Sequence, residues 1–368
     1  MNRKRRTALL VAVAAVTLPL LPVWAVPPAH ASTAYGQVVD DCTGTGTGIG
    51  TGSGTGARVA PVVCHFDVPP GTYDVTVTLG GERAGATSVT VETRRAMLPE
   101  TATAAGERIR RSFTVDVRTP EGEPTGPAGT PGLHLVLGGP TPVLSVVRVT
   151  PAPYATRRIV LIGDSTVCDQ PGEPYAGWGQ RLPELLRRGL SVANHADSGE
   201  STVTFLAHPA LFPAARQRVR PGDLVLIQLA HNDKRTDAPT YRANLTALVD
   251  GVRARGGRPV LVTPIVRRWF NADGTLDNDA ALHVNALGVD HPAEIRALAV
   301  RLGTPLIDLT ALTKTRVETL GTEASKALYL TDEKRDNTHT SVRGATEYAG
   351  LVADELVAQG LIGSRQRR

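Results

Sequence analysis

Aromatic side chains are scarce in this chain. Five Phe, seven Tyr and three Trp make up 4% of 368 residues, and no broad apolar lid segment is visible. Both shortages argue against a site built around long acyl chains. Cysteine is scarce too. Cys42, Cys64 and Cys168 show no CxxC spacing, which argues against structural zinc. Beyond the amino-terminal segment, no stretch reaches the roughly 18 apolar residues of a membrane span. That first segment has a basic start (Arg3, Lys4, Arg5, Arg6), an apolar run from Ala8 to Val26, and Ala29-His30-Ala31. The pattern predicts a secretory leader, residues 1–31, cut after Ala31. Pro19, Pro22, Pro27 and Pro28 interrupt the run and speak against an anchor. A one-sided charge is also lacking. The chain has 40 Lys+Arg against 35 Asp+Glu, and the leader removes four basic residues. The near-balance that remains excludes nucleic acid as an expected partner. The expectation is an exported, monomeric chain, off the membrane once the leader is cut. Export makes a disulfide permissible. Cys42 and Cys64, both in the first half, are the natural pair, which leaves Cys168 single.

What is present divides into two textures. From Ser32 to Thr150 apolar and polar residues alternate, as in Thr72–Leu79, Ser88–Glu92, Phe113–Val117 and Leu133–Leu137. Pro and Gly separate these runs, so an all-β sandwich is expected over residues 32–150. Residues 43–56 are nearly all Gly and Thr, cannot bury apolar area, and are expected to form a flexible loop. After a linker at residues 151–156 the period changes. Continuous apolar runs at Ile159–Ile162, Leu190–Ala193, Leu224–Leu229, Pro259–Thr263 and Leu306–Leu309 alternate with amphipathic stretches. Those stretches predict helices at Gly179–Arg188, Pro209–Val219, Tyr241–Arg255, Pro292–Leu302, Thr310–Leu320 and Ser341–Gln359. The fold class is α/β, a parallel, doubly wound sheet over residues 157–363, preceded by the sandwich. Residues 364–368 are expected to fray.

Reactive groups in such sheets collect beyond the carboxyl ends of the strands. Four stations stand there. Ser165 ends the first strand in Gly163-Asp164-Ser165, and Gly199 follows the second. Asn232 follows the third, and Asp336-x-x-His339 precedes the last helix. Together they supply a hydroxyl nucleophile, a backbone donor, an amide donor, and a base with its carboxylate. These are the components of ester hydrolysis through a serine. Singly, each has a bland alternative: a capped turn, a loop glycine, an Asx turn, a solvated pair. A catalytic Cys168 is the weaker alternative, because Ser165 already fills the nucleophile's place. His208, His283 and His291 lack a matching carboxylate step. His195 and His231, at strand ends, are expected to line the pocket.

In this order the four stations resemble the SGNH (GDSL-type) hydrolases, with Ser165, Gly199, Asn232 and His339 as the namesakes, from about Arg158 to Gly360. The nucleophile does not sit in a Gly-x-Ser-x-Gly elbow, unlike ordinary α/β-hydrolases. Gly163-Asp164-Ser165-Thr166-Val167, Ala176-Gly177-Trp178-Gly179-Gln180, Asn194-His195-Ala196, His231-Asn232-Asp233 and Asp336-Asn337-Thr338-His339-Thr340 resemble the rhamnogalacturonan acetylesterase branch. The resemblance implies a flavodoxin-like, three-layer αβα domain and a Ser165–His339–Asp336 triad. It implies an oxyanion hole from the Ser165 and Gly199 N–H groups and the Asn232 amide, and no metal or organic cofactor. Its implied partner is an acetylated polysaccharide or oligosaccharide of the plant cell wall, pectic or xylan. Asp164, Thr166, Trp178, Glu200, His231, Arg267 and Arg268 are the expected substrate contacts. The leading half resembles a galactose-binding-like module, which Glu92–Leu98 fits. One departure stands out: the branch often has a basic residue after the second-block glycine, whereas this chain has Glu200, which disfavours an acidic galacturonate chain. Arg267 and Arg268 either restore positive charge or form a solvated loop pair. The rival expectations are a lipid or other small-ester esterase or thioesterase, and a glycan-binding protein with a degenerate hydrolase domain.

Overall fold

The computed structural model describes residues 35–37, 42–43 and 60–368. The expected leader, and the Gly/Thr-rich loop beyond Thr43, lie outside the described residues. Nine strands come first: β1 (Tyr35–Gln37), β2 (Cys42–Thr43), β3 (Val62–Phe66), β4 (Gly71–Gly80), β5 (Gly85–Val91), β6 (Arg95–Thr103), β7 (Arg108–Val117), β8 (Leu133–Thr141) and β9 (Leu144–Pro151). They pair antiparallel in the orders β1-β9-β4-β7 and β2-β3-β8-β5-β6. Alternation dictates the inward face. Tyr73, Val75, Val77 and Leu79 of β4 are buried, and they join Val89, Leu135 and Leu137 of the other sheet in one apolar cluster. Cys42 and Cys64 face each other across β2 and β3 and are disulfide-bonded.

A tight turn after β5 holds Glu92 at φ 50 and only 7% exposed, where the Arg95 charge offsets its burial in part. Burial above all pushes its carboxyl up to about 8. The folded chain therefore keeps a proton that the unfolded chain releases near 4.5, and stability falls as pH rises between these values. Glu92→Gln is expected to be about 2–4 kcal/mol more stable than the parent at pH 8, with the gap closing near pH 4.5. Urea unfolding at both pH values measures this, and an equal gap at the two would contradict it.

The second half begins with β10 (Arg157–Gly163), α1 (Trp178–Arg181), β11 (Leu190–Asn194), α2 (Thr202–Ala207), α3 (Phe212–Arg218) and β12 (Leu224–Gln228). It continues through α4 (Ala238–Arg253), β13 (Arg258–Val262), α5 (His291–Leu302), β14 (Leu306–Ile307) and α6 (Leu309–Ala324). It ends with β15 (Tyr329–Leu330), α7 (Thr331–Lys334), β16 (Asp336–Thr340) and α8 (Val342–Ala358). The order β11-β10-β12-β13-β14, all parallel, is the flavodoxin-like 2-1-3-4-5 arrangement. Successive side chains of a strand point to opposite faces. Ile159 and Leu161 pack into the cluster that includes Val352 and Leu356 of α8. Val160 and Ile162 pack into the one that includes Leu245 and Leu248 of α4. Both faces are covered, which is why these strands read as unbroken apolar runs.

Several boundaries differ from expectation. The helix expected at Gly179–Arg188 is four residues of α1 and a 3₁₀ turn over Leu182–Leu185, because Pro183 has no N–H to continue an α ladder. The strand expected to run to Leu309 stops at Ile307, where Asp308 caps α6 through Ala311 N–H. Helix α2, with its Ser201/Thr204 capping box, was not expected, although that pair was a readable signal. Asp336 and His339, placed before the last helix as expected, lie on strand β16, which pairs with β15. The carboxyl terminus does not fray: Arg187 N–H donates to Gln366 O at 2.8 Å and Arg368 Nη1 to Met97 O at 2.8 Å.

Candidate active site

The first strand turns sharply at Gly163. A Cβ there would lie 2.6 Å from Val167 Cγ2, so only glycine lets the chain fold back. The turn is locked by Asp164, whose Oδ1 accepts Thr166 N–H at 2.9 Å and Thr166 Oγ1–H at 2.7 Å. Its other oxygen lies 3.1 Å from His231 Nδ1. Burial opposes the Asp164 charge, but His231 and the Thr166 donors outweigh it and hold the carboxyl below its ordinary value. Burial likewise pushes His231 down, against the pull of the Asp164 carboxylate that its Nδ1 faces.

This turn presents Ser165. Its Oγ lies 2.9 Å from His339 Nε2, and His339 Nδ1 lies 2.7 Å from Asp336 Oδ2. Asp336 Oδ1 accepts the N–H groups of Thr338 and His339 at 2.8 and 3.0 Å. Burial opposes the Asp336 charge, yet these N–H donors and the imidazole hold its carboxyl below the usual value. A carboxylate fixed by two backbone donors can orient only one tautomer of the ring, with Nδ1 protonated and Nε2 free to accept from Ser165. The edge of His339 meets the Tyr175 ring at 5.5 Å between centroids.

Gly199 has φ +81, a left-handed backbone that favours glycine, and the adjoining Glu200 carbonyl accepts the Asn232 amide at 3.1 Å. One amide hydrogen thus braces the Gly199 loop while the other is free to donate. The Ser165 and Gly199 N–H groups have no hydrogen-bond partner among the described residues. Ser165, Asn232, Asp336 and His339 line one cavity of about 630 Å³. The arrangement has a hydroxyl, a base with its carboxylate, and donors to spare for a developing oxyanion. It can carry out acyl transfer.

The remaining expected substrate contacts separate sharply. His231 and Arg267 line the cavity. Trp178 does not. It is 1% exposed and its Nε1–H donates to Gln228 Oε1 at 2.9 Å, pinning α1 to β12. Asp164 and Thr166 are buried in the turn they stabilise and lie outside the cavity lining. Arg268 is neither cleft-facing nor solvated. Its N–H donates to Asn337 O at 2.7 Å and its Nε to Ser325 Oγ at 3.0 Å, so it holds the strand that carries Asp336 and His339. Glu200 and His195 also lie outside the cavity lining. Burial above all, and then the charges of Arg118, Arg218, Arg158 and Arg95, keep His195 well below its ordinary value. Burial and the neighbouring Glu123 carboxylate push the Cys168 thiol well above its ordinary value, which makes it a poor nucleophile. The cavity also contains residues not expected from sequence: Lys234, His283, Asn285, His291 and Trp269, which is 48% exposed. Trp269, one of three tryptophans and set in a polar loop directly after Arg267-Arg268, was the one readable signal among them.

A 2-1-3-4-5 parallel sheet with a serine, an imidazole and a carboxylate in contact at its carboxyl ends defines the class: a carboxylic ester hydrolase of the SGNH type. Residues 161–346 match the GDSL-like Lipase/Acylhydrolase family, and the chain belongs to it. Rhamnogalacturonan acetylesterase RhgT of Bacillus subtilis (strain 168) is 38% identical over 220 residues, which is 55% of this chain and 91% of the relative. Uncharacterized esterase YxiM of the same strain is 28% identical over 307 residues, 81% of this chain and 74% of the relative. The crystal structure of Bacillus subtilis YxiM superposes with a TM-score of 0.52 at 26% identity, covering 88% of this chain and 89% of that one.

Proposed function

We propose that this chain is a secreted acetylesterase that removes O-acetyl groups from a plant cell-wall polysaccharide, pectic or xylan, through an acetyl-Ser165 intermediate. The observation that carries the reading is the 2.9 Å approach of Ser165 Oγ to His339 Nε2 at a cavity of about 630 Å³. His339 takes the Ser165 proton as Oγ attacks the acetyl carbonyl. The Ser165 and Gly199 N–H groups and the Asn232 amide hold the oxyanion. The sugar hydroxyl leaves with a proton from His339, and water repeats the cycle on the acetyl-enzyme. Export rests on the leader pattern and on the Cys42–Cys64 disulfide, which fits an oxidising compartment. The amino-terminal half is read as a galactose-binding-like sandwich, supported by its two antiparallel sheets and their shared apolar cluster.

The similarity to RhgT supports the pectic alternative. So does the cavity, where Lys234 and Arg267 supply positive charge and Glu200 is not in the lining. Acetate release from acetylated pectin, acetylated xylan and a small acetyl ester tests the reading. Activity on the small ester with none on either polymer would refute it. Trp269, exposed in the lining of the same cavity as His339, is placed to stack against a sugar ring. Trp269→Ala is expected to raise KM for the polymer about three- to tenfold, with a smaller change for the small ester. Equal changes on both substrates would remove Trp269 from the polymer subsite.

A further inference from the structure

We propose that Glu123, carried by the amino-terminal half, is a positioning residue for the esterase site: its carboxylate ties the loop bearing Ser165 to the loop bearing Gly199. The inference rests on the reading of Ser165 as nucleophile and Gly199 as oxyanion donor. Glu123 belongs to the segment between β7 and β8, residues 118–132, which contacts the loops that follow β10 and β11. Its Oε1 accepts from Cys168 Sγ–H at 2.7 Å and from the Ser198 hydroxyl. A carboxylate accepts only, so it can collect both donors at one point. Ser198 immediately precedes Gly199. Cys168 lies three residues after Ser165, and Gln170 Nε2 donates to Ser165 O at 2.8 Å while approaching Ser198 Oγ at 3.5 Å. Thr125 Oγ1–H donates to Asp197 in a second link between the same segments.

The two backbone donors of the oxyanion hole therefore sit on different loops. They are cross-linked by a side chain from a part of the molecule that carries no catalytic group. Separation between those donors matters because an oxyanion donor stabilises the transition state only at hydrogen-bond distance. The neighbouring turn reinforces the brace, since Arg94 Nη1 donates to Gln170 O at 3.0 Å and to Tyr175 O at 3.1 Å.

The test uses the full chain and a small acetyl ester, p-nitrophenyl acetate, so that glycan binding plays no part. Glu123→Ala and Ser198→Ala are each expected to lower kcat about ten- to hundredfold with KM changed less than about threefold. Glu123→Gln, whose amide oxygen still accepts two bonds, is expected to recover most of that loss. The double variant Glu123→Ala/Ser198→Ala is expected to be no slower than the worse single variant, because both break one link. Thermal melts establish that the assayed variants are folded. Should Glu123→Ala fail to fold, Ser198→Ala and Glu123→Gln decide. Folded Glu123→Ala or Ser198→Ala with kcat within about twofold of the parent, or single losses that multiply in the double variant, would overturn the proposal. If Ser165→Ala is inactive while the Glu123 and Ser198 variants are normal, this inference alone fails. If Ser165→Ala is active, the reading beneath it fails as well.

Discussion

Ser165→Ala is expected to reduce kcat on an acetyl ester by at least about 10⁴-fold while leaving the unfolding midpoint nearly unchanged. The reason is local. Among the described residues Ser165 Oγ makes one hydrogen bond, to His339 Nε2, and the residue lines the cavity. Alanine removes the attacking oxygen and leaves Asp336, His339 and Asn232 in place. A residual rate is expected, because the oxyanion donors still polarise a bound carbonyl toward water. Labelling by a serine-directed phosphonate distinguishes this outcome from a misfolded variant. The parent is expected to be modified at Ser165, and the folded variant to remain unlabelled. Undiminished hydrolysis by a folded Ser165→Ala chain would end the serine mechanism.

The second large effect concerns stability. Arg95 and Asp169 are 1% and 0% exposed at the side chain, with Arg95 Nε and Nη2 donating to Asp169 Oδ2 at 2.9 and 2.6 Å. Arg95 Nη1 also donates to Asp116 O at 3.0 Å, and Asn194 Nδ2 donates to Asp169 Oδ1 at 2.7 Å. Burial works against the Arg95 charge, but Asp169 outweighs it and keeps the guanidinium above its ordinary value. Removing one partner leaves the other charge in a dry interior. Arg95→Ala is expected to cost about 3–5 kcal/mol, measured by urea unfolding. Arg95→Met combined with Asp169→Leu is expected to cost far less than the sum of the single losses, since neither charge of the pair is left without the other. A single-variant cost below about 1 kcal/mol would show that water reaches the pair.

Much of the catalytic half was legible because its strands are short and buried on both faces. Ile159–Ile162 reads as a strand whatever surrounds it. Gly163 was legible as a tight turn, and the backbone at Gly199 is left-handed at φ +81. The triad spacing was legible because Asp336 and His339 are three residues apart and interact through local bonds. The substrate contacts were much less legible. Trp178 looked like a cleft aromatic, but Gln228, fifty residues on, claims its indole N–H. Arg268 looked like a cleft or solvated cation, but Asn337 and Ser325 claim it across separations of 69 and 57 residues. Glu123 gave no signal at all, since its partners Cys168 and Ser198 lie 45 and 75 positions away.

Periodicity, turn residues and the four strand-end stations were set within windows of a few residues, where backbone sterics and alternation of faces act, and these were readable directly from the chain. Which polar side chains face substrate and which are consumed in holding the site together was decided only on folding. Each such side chain satisfies whatever buried donor or acceptor the closed structure brings within about 3 Å of it. No local pattern encodes that meeting.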